Sequence, residues 1–98
     1  MTTTLIATFS AQAGHRERVA ELIAGYAASV RSASGTLLFE PTTAVHDDHA
    51  FTVFERYADE DAFAAHLAAP ENSAFGDAVA EHLVAGIELA FLDEIEVD

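Results

Sequence analysis

The fold is decided by residues 51–67, FTVFERYADEDAFAAHL, which pass from a strand pattern into a helix pattern. In the strand part, alternate side chains form an apolar and aromatic row that begins at Phe51, ends at Tyr57 and is interrupted by Glu55. In the helix part, apolar residues recur at helical spacing, and His66 lies at the edge of their stripe. We therefore expect a carboxylate, a phenol and an imidazole to meet where the strand packs against the helix.

The rest of the chain shows the same two periodicities, which predict three further strands and two further helices. Asp59 is placed to cap the helix of the opening stretch, which is predicted to end at Ala69. Pro41 has no N–H to donate to a sheet, so it indicates an edge strand or a bulge, and Asp93 indicates a bend in the last strand. In chain order, the four predicted strands are Thr3–Ser10, Thr36–Val45, Ala50–Tyr57 and Ile87–Val97. The two predicted helices outside the opening stretch are His15–Ser32 and Ala74–Ala85.

The order β-α-β-β-α-α-β predicts a ferredoxin-like α+β fold, formed by residues 1–98 as one domain. Right-handed crossovers arrange it as a four-stranded antiparallel sheet with the helices on one face. The other face then carries apolar side chains that no helix covers: Ile6, Leu38, Phe54 and Leu92. Such a patch is larger than monomers usually expose, so we expect two sheets to pair face to face in a homodimer.

The charge of the chain argues against several classes of partner. Four arginines and no lysine stand against 17 acidic residues, for a formal net charge of −13. This charge repels both a nucleic-acid backbone and an anionic membrane surface, so neither is expected as a partner. The chain contains no cysteine, which excludes disulfides, thiolate catalysis and cysteine-based metal sites.

Nothing in the sequence predicts membrane insertion or export. No apolar run approaches the roughly 20 residues that a membrane helix needs. The first residues, Met1 to Thr4, lack the basic segment followed by an apolar one that is typical of a secretory signal. We therefore expect a cytoplasmic protein.

The strand-to-helix segment resembles the antibiotic biosynthesis monooxygenase domain, a member of the dimeric α+β barrel superfamily. The resemblance lies in the run FERYAD, residues 54–59, followed by Ala62, by AHL at residues 65–67 and by Pro70. These positions are similar to the family's acid, aromatic residue and helical histidine. The resemblance implies a pocket between the helices and the sheet in each subunit of a dimer.

Members of the family include cofactor-independent oxygenases of quinols and polyketide-like phenols, haem-degrading enzymes and isomerases of small metabolites. The haem-degrading members use an asparagine in the first strand and a tryptophan near the position of His66, and this chain has neither. The resemblance therefore implies no cofactor, with a small aromatic substrate and molecular oxygen as partners. Many relatives also carry a second histidine after the helix-ending proline, whereas Glu71 follows Pro70 here. A small-metabolite isomerase and a non-catalytic binding dimer stay open as alternatives.

The candidate catalytic residues are His66, Glu55 and Tyr57. A neutral imidazole at His66 suits removal of a proton from a phenol, and the resulting electron-rich anion reacts with oxygen in a dry cavity. Glu55 would orient that imidazole, and Tyr57 would donate a hydrogen bond in the pocket. Each also has a structural interpretation: a histidine tying helix to strand, a solvated or subunit-bridging glutamate, and a packed tyrosine ring.

Four other histidines are weaker candidates. His46 and His49 flank two aspartates, but a tight hairpin seldom brings four ligands together, so no metal site is expected. His82 occupies an inward position on its predicted helix and is interpreted as a core or dimer-contact residue. His15 is expected to be exposed.

Overall fold

The computed structural model describes residues 1–97. Its elements are β1 (Thr3–Ser10), α1 (Arg16–Arg31), β2 (Thr36–Ala44), β3 (Asp47–Tyr57), α2 (Glu60–Ala68), α3 (Pro70–Ala80) and β4 (Glu88–Leu92). The four strands form one antiparallel sheet in the order β2-β3-β1-β4. This confirms the predicted ferredoxin-like α+β architecture. None of the helices in residues 1–97 has the length and apolarity required to cross a bilayer.

The core lies between the sheet and the helices. Phe9 and Phe51 are opposite each other on β1 and β3, and their rings stack with centroids 5.3 Å apart. From α1, Val19 and Ile23 pack into the same cluster, and α3 contributes Val79. The period-2 rows of β1 and β3 thus face the helical stripes, as the sequence pattern predicts.

Four element boundaries differ from the prediction by three residues or more. Strand β3 begins at Asp47 and not at Ala50, and helix α3 ends at Ala80 and not at Ala85; the other two differences have identifiable reasons. Helix α3 begins at Pro70, four residues before the predicted Ala74, because proline fits the first turn of a helix, where its missing N–H is not needed. Strand β4 ends at Leu92, well before the predicted Val97. Its partner β1 explains this, because Leu92 already pairs with Thr4 and β1 begins at Thr3.

Three apolar residues that strand alternation places on the helix-covered face of the sheet are exposed. Leu37 is 55% exposed because a register shift between Thr36 and Leu38 disrupts the alternation of edge strand β2. Leu89 and Phe91 are 47% and 61% exposed because they lie on β4, at the opposite edge of the sheet. The covered face of the sheet therefore stays partly open along β4.

The outer face of the sheet carries the apolar patch that the alternation predicts. Ile6 pairs with Phe54 across β1 and β3, and Phe54 is 45% exposed. Leu38 and Leu92 are also exposed, on the two edge strands. In a monomer, the Phe54 ring at the centre of this face therefore has no side chains packed over it.

Candidate functional site

A cavity of about 340 Å³ lies between the sheet and the helices. Its walls are mainly apolar and come from all four strands and all three helices, with Leu5, Phe9, Phe39, Val53, Phe75 and Leu89 among the lining residues. The opening coincides with the incompletely covered edge at β4, because Ile87 and Leu89 line the cavity and are both exposed. The size and lining are those of a site for a small organic molecule.

Four polar side chains cluster inside this apolar cavity. Glu55 comes from β3, His66 from α2, Tyr26 from α1 and Asn72 from α3. Sequence reasoning identified Glu55 and His66, and the structure brings them to 3.8 Å, measured from Glu55 Oε1 to His66 Nε2. This distance suits an ion pair when the imidazole is protonated and is too long for a hydrogen bond.

Tyr57 lies behind the cavity and does not line it. Residues two apart on a strand share a face, so Tyr57 Oη reaches Glu55 Oε1 and donates a hydrogen bond of 2.6 Å. Tyr57 is fully buried and Glu55 is 5% exposed. Burial raises the pKa of Glu55, and the hydrogen bond from Tyr57 opposes part of that rise. The pKa of Tyr57 is raised far above its ordinary value by burial and by the bond to the carboxyl.

The start of α2 positions His66 among aromatic rings. The Asp59 side chain caps this helix by accepting a 2.8 Å hydrogen bond from the backbone N–H of Ala62. The imidazole then lies 4.9 Å from the Tyr57 ring and 6.1 Å from the Phe63 ring, measured between centroids. Burial lowers the pKa of His66. The site therefore favours the neutral imidazole, which is the form that accepts a proton.

Helix α2 can approach the sheet this closely because residue 35 is glycine. A Cβ built on Gly35 would lie 2.6 Å from the Cβ of Ala62, which is far inside van der Waals contact. Gly35 also accepts a hydrogen bond from the backbone N–H of Ala58 at 2.9 Å. Gly35 therefore helps to place α2, a role that its position in the sequence just after α1 does not reveal.

Sequence reasoning missed Tyr26 and Asn72 as functional candidates. Tyr26 Oη donates a 3.0 Å hydrogen bond to Asn72 Oδ1 and lies 3.5 Å from His66 Nε2. The Tyr26 ring stacks on Phe75 with centroids 4.6 Å apart, and burial raises its pKa well above the ordinary value. The signal in the sequence was the Tyr26 hydroxyl within the apolar row of α1, since Asn72 lies before the predicted start of the next helix at Ala74.

The remaining histidines lie outside the cavity. His15 is half-buried, so the expectation of an exposed side chain was wrong; its Nδ1 lies 2.9 Å from Nδ1 of His82. His82 is mostly buried in the turn that follows α3. His49 Nδ1 lies 3.1 Å from the carbonyl oxygen of Ala11. Within residues 1–97, no three or more His, Cys, Asp or Glu side chains converge on a position that could hold a metal ion.

Comparison with known proteins gives both a family and a fold. The sequence model of the family described as antibiotic biosynthesis monooxygenase matches residues 2–81. A search of curated proteins found no match. Among solved structures, PA3566 from Pseudomonas aeruginosa is 25% identical, with a TM-score of 0.89 over 97% of this chain and 95% of its own.

Two further solved structures show the same fold at lower identity. A provisionally named antibiotic biosynthesis monooxygenase from Caulobacter crescentus CB15 is 23% identical, with a TM-score of 0.90 over 97% of this chain and 91% of its own. Rv0793 from Mycobacterium tuberculosis is 20% identical, with a TM-score of 0.89 over 99% of this chain and 98% of its own. The chain therefore spans nearly the full length of these proteins.

Proposed function

We propose, because this chain belongs to the antibiotic biosynthesis monooxygenase family, that it is a cofactor-independent monooxygenase of a quinol or polycyclic phenol. The observation that carries the proposal is the position of His66 in the cavity. Its imidazole is largely buried, favours the neutral form and lies 3.8 Å from a carboxyl oxygen within a mainly apolar space. A base in such a place can ionise a phenol where water does not compete.

In the proposed reaction, His66 takes the proton of the substrate hydroxyl. The ionised ring passes one electron to oxygen, and recombination of the two radicals forms a bond between carbon and oxygen. Cleavage of the resulting peroxide leaves one oxygen atom on the ring as a carbonyl and releases the other as water. The substrate ring supplies the four electrons that balance this conversion. One of the two hydrogens in the water comes from the substrate hydroxyl by way of His66 and the other from the ring carbon that is oxygenated, so no external reductant is required.

Glu55 and Tyr57 would act on His66 rather than on the substrate carbon. The carboxyl oxygen 3.8 Å from Nε2 stabilises the imidazolium that forms when the proton is transferred. Tyr57 positions that carboxyl through its 2.6 Å hydrogen bond and is itself enclosed. We therefore assign Tyr57 a positioning role, which differs from the pocket donor that the sequence suggested.

The test is oxygen consumption with a panel of hydroquinones and polycyclic phenols. We expect His66→Ala to reduce turnover by about 10²-fold or more, the usual contribution of a general base. His46→Ala is the matched control, because His46 is exposed in the hairpin turn. Equal loss in both variants, or unchanged turnover in His66→Ala, would remove His66 from the mechanism.

A small-metabolite isomerase is the second candidate, because Glu55 and His66 together provide an acid and a base in one cavity. Such an enzyme moves a proton between two substrate atoms and consumes no oxygen. Comparing substrate loss in air and under anaerobic conditions separates the two reactions. Conversion that proceeds equally well without oxygen would replace the oxygenase with the isomerase.

A further inference from the structure

Building on the proposed function, we propose that the cavity accepts its aromatic ligand only in the uncharged form and rejects phenols that carry a carboxylate or another anionic group. The distribution of charge around the cavity supports this substrate class. Its lining residues include two acids, Glu55 and Asp77, and neither arginine nor lysine among the residues that the structure describes. An anion entering this space would lose its hydration without gaining a counter-ion.

Every arginine of the chain is engaged elsewhere. The chain has four arginines and no lysine. Their side-chain nitrogens lie 2.9 Å from Thr43 Oγ1 for Arg16, 3.2 Å from Glu21 for Arg18, 3.2 Å from Glu40 for Arg31 and 3.0 Å from Glu94 for Arg56. None of these residues lines the cavity within the described part of the chain. A bound carboxylate therefore has no guanidinium to pair with.

The remaining candidate counter-ion is His66, which the proposed reaction needs in its neutral form. A neutral phenol and a neutral imidazole become a phenolate and an imidazolium after proton transfer, so the net charge of the cavity stays constant. A ligand that arrives as an anion would have to stay unpaired or pair with an imidazolium that can no longer act as the base. Charge balance through the reaction thus favours the same ligand class as the lining residues do.

Asp77 extends this selectivity to the opening of the cavity. It is exposed on α3, next to Gly76, and lines the cavity together with the exposed Leu89 of β4. An anionic ligand therefore meets a carboxylate at the entrance before it meets Glu55 inside. Because Asp77 at the entrance is in contact with solvent, salt screens its repulsion of an anionic ligand, whereas salt screens the repulsion from buried Glu55 much less.

The test compares two fluorescent probes with the same ring skeleton, a naphthol and a hydroxynaphthoic acid, by titration of the purified protein. We expect the carboxylated probe to bind at least about tenfold more weakly, since like charges repel strongly at low effective dielectric. Asp77→Asn should reduce the ratio of the two probes' dissociation constants severalfold at low salt. Asp48→Asn is the matched control, because it removes the same charge from an exposed position at the start of β3 that does not line the cavity.

Equal affinity for the two probes would overturn the proposed selectivity, as would equal effects of Asp77→Asn and Asp48→Asn. Failure to bind the neutral naphthol would also overturn it, because the cavity would then not take uncharged phenols. The proposed oxygenase function fails separately, when the neutral phenols bind with the expected selectivity but consume no oxygen and are not converted.

Discussion

Replacing Tyr57 with phenylalanine removes one hydroxyl from a fully enclosed position and tests the coupling of Tyr57 to Glu55. The hydroxyl donates the 2.6 Å hydrogen bond to Glu55 Oε1, and this bond opposes the effect of burial on the carboxyl. Without it, the pKa of Glu55 rises further. A hydrogen bond to a charged group contributes about 1.5 to 3 kcal/mol, and one between neutral groups about 0.5 to 1.5 kcal/mol.

The sign of the pH dependence follows from the raised pKa. A carboxyl whose pKa is higher in the folded than in the unfolded state holds more protons when folded, so stability falls as pH rises above the ordinary value of 4.5. Tyr57→Phe raises the folded-state pKa of Glu55 further, so the total fall in stability should be larger. We expect its cost in unfolding free energy to grow from about 0.5 to 1.5 kcal/mol in acid to about 1.5 to 3 kcal/mol once Glu55 is ionised.

The measurement is urea unfolding of both proteins at a series of pH values and at one fixed protein concentration, since oligomerisation contributes to apparent stability. Titration of the other acids cancels in the difference between the two proteins. In a Glu55→Gln background the cost of Tyr57→Phe should lose its pH dependence. A cost that is independent of pH in both backgrounds would refute the coupling between Tyr57 and Glu55.

Three further predictions concern the base, the sheet face and the placement of α2. If His66 is the base, turnover should rise with pH through a pKa below the ordinary 6.5 and then level, since burial lowers the pKa of His66. A flat profile of turnover against pH would contradict this role. Phe54→Glu should convert a dimer into monomers in sedimentation at micromolar concentration, whereas Ala24→Glu on the exposed side of α1 should not. A wild-type protein that sediments as a monomer would rule out the proposed pairing of sheets. Gly35→Ala should lower the unfolding free energy by about 1 to 3 kcal/mol through its clash with Ala62, and a second change, Ala62→Gly, should recover part of the loss. If the costs of the two substitutions are additive in a double-mutant cycle, the two positions do not clash.

The sequence predicted the parts of the site that depend on one strand and one helix. Alternation alone places Glu55 and Tyr57 on the same face of β3, and their hydrogen bond follows from that spacing. Helical spacing places His66 on the inward edge of α2, above the same strand. Which of these side chains reaches the cavity was not predictable, because that depends on how deeply the helix packs.

Tyr26 and Asn72 could not be assigned to the site from local pattern. They are 46 positions apart, and their hydrogen bond exists because α1 and α3 pack against each other. Asn72 was also misplaced in the sequence reading, which began α3 at Ala74 and left this residue in a turn. A pairing between side chains of two different helices has no periodic signature in either of them.

The amino-acid pattern thus determined the element order, the sheet with helices on one side and the apolar outer face, because each depends on periodicities within single elements. Only the tertiary structure decided the end of β4, which is set by the length of β1, and the opening of the cavity at that edge. It also decided which polar groups surround His66. These features arise from distances between elements remote in sequence, which packing determines and local spacing does not encode.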